Sequence, residues 1–145
     1  MAYNESIGSS GAPPVSGHLR DLLLLVFSFD GRMGRQTYWL LWAGLTAVKC
    51  LSFLGLLWMY TIVKSEEVPP HLADLGYIGG LLLVLVMFFA LIGRASIEAR
   101  RNHDRGQSAL LLALIFVPVL GPFFYLYLFV ANGFLAGTPE PNAYG

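Results

Sequence analysis

Residues 75–92 read LGYIGGLLLVLVMFFALI, a stretch whose only ionisable side chain is Tyr77. A helix rises ~1.5 Å per residue, so ~17–20 such residues cross the ~30 Å hydrocarbon core of a bilayer. A helix buried in a water-soluble bundle would carry a charged stripe on its outer face, and this stretch has none. Two comparable runs flank it, at residues 38–63 and 108–134. The expected fold is all-α and integral to a membrane, with transmembrane helices over about 38–63, 75–93 and 108–134.

Composition agrees. Hydrophobic residues make up 56% of the 145-residue chain, charged residues 12%, and the mean hydropathy is +0.63. An average soluble domain carries about 25% charge. The formal net charge is zero, so no global field attracts nucleic acid. Where the charges sit matters more. Arg20, Arg32 and Arg35 precede the first run, and Arg94, Arg100, Arg101 and Arg105 lie between the second and third. The first loop has only Lys64, opposed by Glu66, Glu67 and Asp74, and the tail has no basic residue. By the positive-inside rule the N-terminus and second loop are expected in the cytoplasm, and the C-terminus outside.

Residues 1–18 are rich in Gly, Ser and Pro and are expected to form a flexible cytoplasmic tail before a membrane domain over 19–145. They show no basic and apolar regions of a cleavable signal. Residues 19–29 make only ~16 Å of helix, which suits a short interfacial helix better than a span. Tyr38, Trp39 and Trp42 open the first span and Trp58 and Tyr60 lie near its end, as an aromatic belt at both headgroup levels. Pro69 and Pro70 stop a helix in the first loop. Gly76 and Gly80 form a small-xxx-small pair suited to close helix approach, and Gly133 and Gly137 are further packing candidates. The second span is expected to continue as a helix through Arg101, with Glu98 placed for exposed ion pairs to Arg94 or Arg101 worth ~0.2–0.5 kcal/mol each. Pro118, Gly121 and Pro122 predict a kink in the third span, or else a re-entrant hairpin that returns the C-terminus to the cytoplasm.

Three segments sit beside these runs. Residues 29–39 read FDGRMGRQTYW, residues 100–108 read RRNHDRGQS, and residues 137–145 read GTPEPNAYG. In this order and spacing the chain resembles the bacterial inner-membrane family known as domain of unknown function 805, over about residues 27–145. The resemblance implies the architecture and leaves the activity unassigned. The chain departs from the family pattern at Asn102, where leucine is usual, at Ala109 and Leu110, where tryptophan is common, and at Glu140 and Ala143, where glycine and a basic residue are usual.

Arg32 and Arg35 present forked donors suited to phosphate oxygens, and with Arg100, Arg101 and Arg105 they form the expected lipid-headgroup set on one face, including for an anionic lipid. His103 beside Asp104 is read as an orienting hydrogen bond or loop cap: no further ligand lies nearby in sequence, so no metal, cofactor or catalytic residue is assigned. Cys50 is the only cysteine, which excludes an intrachain disulfide. Lys49 stands eleven residues after Tyr38, near the bilayer centre, where insertion costs ~2.5–3.5 kcal/mol. It must snorkel, bond Thr46, Ser52 or a carbonyl, or meet an acid of another subunit. The expected function is a non-enzymatic accessory subunit of a larger membrane complex, energy-transducing assemblies included, in contact with lipid. A small oligomeric channel or transporter, and an interfacial lipid-modifying enzyme, are the alternatives.

Overall fold

The computed structural model describes residues 15–65 and 68–144. Most of the expected tail at 1–18 therefore lies outside the described residues, as do Glu66 and Glu67. The elements in order are α1 (Val15–Phe27), α2 (Arg35–Val63), α3 (Pro70–Asp104), a 3-10 helix (Ala109–Phe116) and α4 (Leu120–Phe134). No strand occurs among the described residues.

Two helices, α2 and α3, are long and apolar enough to cross a membrane, and only 6% of the most apolar window of each is buried inside the protein. Leu40, Leu51, Leu81 and Phe88 are among the large apolar side chains left uncovered. Water penalises such a surface by ~25 cal/mol per Å², whereas hydrocarbon does not. Each helix has legible ends. Gly34, in extended conformation, precedes α2, and Pro70 occupies the first turn of α3, where its missing N–H costs no intrahelical bond.

The two helices form a hairpin, and the glycines expected to meet another helix face α2 of the same chain. A Cβ on Gly76 would stand 2.5 Å from Val63 Cγ2, while one on Gly80 would sit at an ordinary 3.8 Å from Leu56 Cδ2. Only the first position is tight, so the pair is not a continuous close-contact seam. Near the first loop the helices leave a cleft of about 510 Å³ lined by Leu56, Tyr60, Val63, Gly76 and Val84.

The segment expected to be interfacial is helical, α1, and packs on the other end of α3. Ser96 Oγ donates to Ser28 O, Arg100 Nη2 donates to Leu25 O, and the Phe27 and Phe89 rings meet edge to face at 6.4 Å.

The third apolar run does not form one continuous helix. It enters beside Asp104 as the 3-10 helix, whose N-cap Ser108 accepts from Leu110 N at 3.2 Å, and reverses at Pro118–Leu120. Leu120 N donates to Pro118 O at 2.8 Å around Val119, which has φ 69° and ψ −46°, so the reversal is a γ-turn of the rare, strained hand. From there α4 runs back to the end from which the run started: Arg101 donates to Leu135 O, and Thr138 N donates to Asp104 O at 2.8 Å. The expected kink is thus a full reversal, and the tail lies at the same end of the molecule as Arg32 and Asp104 rather than at the opposite one. Proline and the γ-turn supply the physical reason, because together they end both helical hydrogen-bond ladders at the tip.

Candidate functional site

Where α2 begins, α3 ends and α4 returns, polar side chains are buried together. Glu98 projects from α3, and its carboxylate accepts from Tyr38 O–H at 3.0 Å and from Asn132 Nδ2 at 2.7 Å. Arg94, one turn earlier on α3, brings Nη2 to 2.6 Å from Glu98 Oε1. A pair of this kind was expected on an exposed surface, yet its side chains are only 9% and 6% exposed. The reason is the returning hairpin, which covers that face of α3. The Arg94 guanidinium also lies 4.6 Å from the Trp42 ring centre, a cation–π contact.

A second set ties the three segments at the end of α3. Arg101 is fully buried and acts as the hub: Nε donates to Asn132 O at 2.7 Å, Nη1 to Met33 O at 3.3 Å, and Nη1 also pairs with Asp104. Arg32 Nε reaches the other Asp104 oxygen at 3.1 Å, while its Nη1 donates to Glu140 O at 3.1 Å. His103 Nδ1 donates to Gly31 O at 3.2 Å, and its ring stacks on Tyr144 with centres 3.9 Å apart. Asn142 Nδ2 donates to His103 O at 2.9 Å. Three segments remote in sequence are thereby locked into one polar cap.

The family's sequence profile matches residues 26–145. The chain belongs to the family described as Protein of unknown function (DUF805). Comparison with curated proteins and with solved structures finds no match. The DUF805 match takes in all three segments of the cap and leaves out most of α1.

Within this DUF805 region the expected headgroup set divides. Arg35 is exposed, and its one hydrogen bond among the described residues is a long 3.4 Å contact to Phe134 O, while Arg32 is partly exposed. Arg100 and Arg101 are buried, because α1 and α4 cover the last turns of α3; Arg100 Nη2 donates to Leu25 O while its Nε has no partner among the described residues, and Arg101 is held by backbone carbonyls and Asp104. Arg105 is half-buried and donates to Asn132 Oδ1 at 3.2 Å. Gly133 lets the Trp39 indole lie against α4, where a Cβ would meet Trp39 Cζ2 at 2.6 Å and where Trp39 Nε1 donates to Gly133 O at 3.0 Å. Gly137 makes room for the Asp104 carboxylate.

His103 and Asp104 engage Gly31, Arg32, Arg101 and the tail. Lys49 is half-buried on α2 and has no hydrogen bond or ion pair among the described residues, so neither Thr46 nor Ser52 holds it. Sequence reasoning missed the cluster of Tyr38, Arg94, Glu98 and Asn132. The usable signal was an Arg and a Glu four residues apart beside an apolar run, with a lone Asn inside another such run.

Proposed function

We propose that this protein is a non-enzymatic subunit of the bacterial inner membrane that packs against a larger membrane protein complex, an energy-transducing one included, and against anionic lipid. The observation that carries the reading is Lys49. It sits in the apolar body of α2 beside the exposed Val48 and Leu51, without a partner among the described residues. A lysine at that depth is costly unless paired, and an acidic side chain of a neighbouring subunit supplies the missing partner. The broad uncovered flanks of α2 and α3 offer the apolar area for such packing.

By the positive-inside rule the polar cap lies at the cytoplasmic face, which places residues 31–35, the end of α3 and the C-terminal tail together there. Arg32 and Arg35 then face phosphate headgroups. His103 and Asp104 act in this reading as the clasp of the cap rather than as chemistry.

The test is gentle extraction of native membranes, native electrophoresis, and mass spectrometry of co-migrating proteins, for the wild type and for Lys49→Leu. A discrete complex of fixed stoichiometry that Lys49→Leu disrupts is expected. A lone monomer, or a complex indifferent to Lys49→Leu, would overturn the reading.

A further inference from the structure

We infer that the cleft between α2 and α3 near the first loop holds an acyl chain of a phospholipid whose zwitterionic head group is met by Lys64 and Asp74. Residues between 56 and 64 of α2 and between 76 and 84 of α3 wall it, ~12 Å along each helix. Its volume of about 510 Å³ lies within the ~300–1,000 Å³ of sites that enclose small molecules. The inference rests on the membrane placement of α2 and α3 and not on the subunit reading.

The walls suit hydrocarbon and ask for no polar contact inside. Gly76 and Gly80 line the cleft without a side chain, so α3 offers bare backbone at two positions one turn apart. Leu57 and Val84 are exposed, so the cleft opens sideways to the lipid around the helices. Atoms that face a gap lose dispersion contacts on one side, and a flexible chain restores them.

The mouth lies where α2 ends and α3 begins, which is head-group level, and by the positive-inside rule that of the outer leaflet. Lys64, the C-cap of α2, lines the cleft with its ammonium 5.9 Å from the Tyr60 ring centre. Tyr60 and Tyr77 are exposed on the rim, where a ring can lie in hydrocarbon and its hydroxyl in water. Asp74 precedes Tyr77 by three residues, so the two are neighbours on one side of α3. Lys64 and Asp74 are both exposed, and neither forms an ion pair among the described residues.

Charge selects the head group. One ammonium and one carboxylate complement a lipid that carries both signs, with its phosphate on Lys64 and its ammonium on Asp74. A net-anionic head group would leave Asp74 facing like charge, and an uncharged diacylglycerol would meet neither group. The cap at the other end presents Arg32 and Arg35 and suits anionic lipid, so the two ends select different head groups.

The full chain, purified in detergent, is titrated with phosphatidylethanolamine, phosphatidylglycerol and diacylglycerol of matched chains, and native mass spectrometry reads what is retained. Gly80→Leu fills the cleft, and a Cβ there has an ordinary 3.8 Å to Leu56 Cδ2. Lys64→Gln with Asp74→Asn removes both charges at the mouth, and because both side chains are exposed it decides the matter even if Gly80→Leu fails to fold. Phosphatidylethanolamine is expected to bind most tightly of the three at the site that Gly80→Leu blocks. Gly80→Leu is expected to weaken it about tenfold, as for about two methylenes losing their burial. The double charge variant is expected to weaken it about fivefold, the upper end for an exposed ion pair. Unchanged retention in variants that elute and melt like the wild type would overturn the inference, as would release of phosphatidylglycerol instead of phosphatidylethanolamine by Gly80→Leu. Loss of a co-migrating protein from native membranes, a second copy included, with lipid retention unchanged would assign the cleft to a protein partner and overturn it too. The purified chain is assayed without partners, so failure of the subunit reading leaves the lipid result standing.

Discussion

Tyr38 at the start of α2 donates its hydroxyl to Glu98 on α3 at 3.0 Å, across 60 residues of sequence, with both side chains buried. This bond closes the hairpin of α2 and α3 at its polar end. Tyr38→Phe leaves the shape intact and removes one donor from a buried carboxylate. It is expected to cost about 1–3 kcal/mol, read as a lowered midpoint of thermal unfolding in micelles. An unchanged midpoint would show that Glu98 is satisfied without it.

Removing one half of the Arg94–Glu98 pair is expected to do more harm than removing both. Glu98→Gln leaves a buried guanidinium without its counter-charge and is expected to cost about 3–5 kcal/mol, whereas Arg94→Met with Glu98→Gln is expected to cost less. The double-mutant cycle reads the difference as a coupling energy. Additive effects would contradict the pairing.

Asn102 is fully buried, and both polar atoms of its side chain lack a hydrogen-bond partner among the described residues. Asn102→Leu replaces it with an apolar side chain. The substitution is expected to stabilise by about 1–3 kcal/mol, measured as a raised unfolding midpoint. A lower midpoint would mean that the amide has a partner, such as a bound water.

How much of this was legible can be seen from α3 and α4. The apolar run of α3 is long and uninterrupted, so its length and composition alone defined a spanning helix. The run at 108–134 has the same composition, but its path depends on a γ-turn at Val119 and on where Leu135 and Thr138 find donors and acceptors. Hydropathy does not encode those pairings, and both a crossing and a hairpin remained open. Likewise Arg101 reads as one more basic loop residue until its carbonyl partners are known, because burial there comes from α4 folding back over the end of α3.

The hairpin makes a topological prediction. In a Cys50→Ala background, Ala143→Cys and Gln36→Cys are expected to react with a membrane-impermeant thiol reagent from the same side, and Ser65→Cys from the other. Labelling of Ala143→Cys with Ser65→Cys would mean that the third run crosses.

The turn itself is testable. Val119 holds a positive φ, which costs a β-branched residue of order 1–2 kcal/mol. Val119→Gly is expected to relieve part of that cost and raise the unfolding midpoint. By contrast, a Cβ on Gly121 would collide with the carbonyl of Ile115, so Gly121→Ala is expected to destabilise.

A hairpin that enters and leaves at one end has a consequence for shape. In a bilayer, one leaflet would hold α2, α3 and the hairpin, with α1 lying against its headgroups, while the other would hold α2 and α3 alone. The body is then a wedge whose broad side carries the polar cap. Lipids around a wedge are splayed in one leaflet and crowded in the other, so each copy would impose spontaneous curvature on the membrane around it.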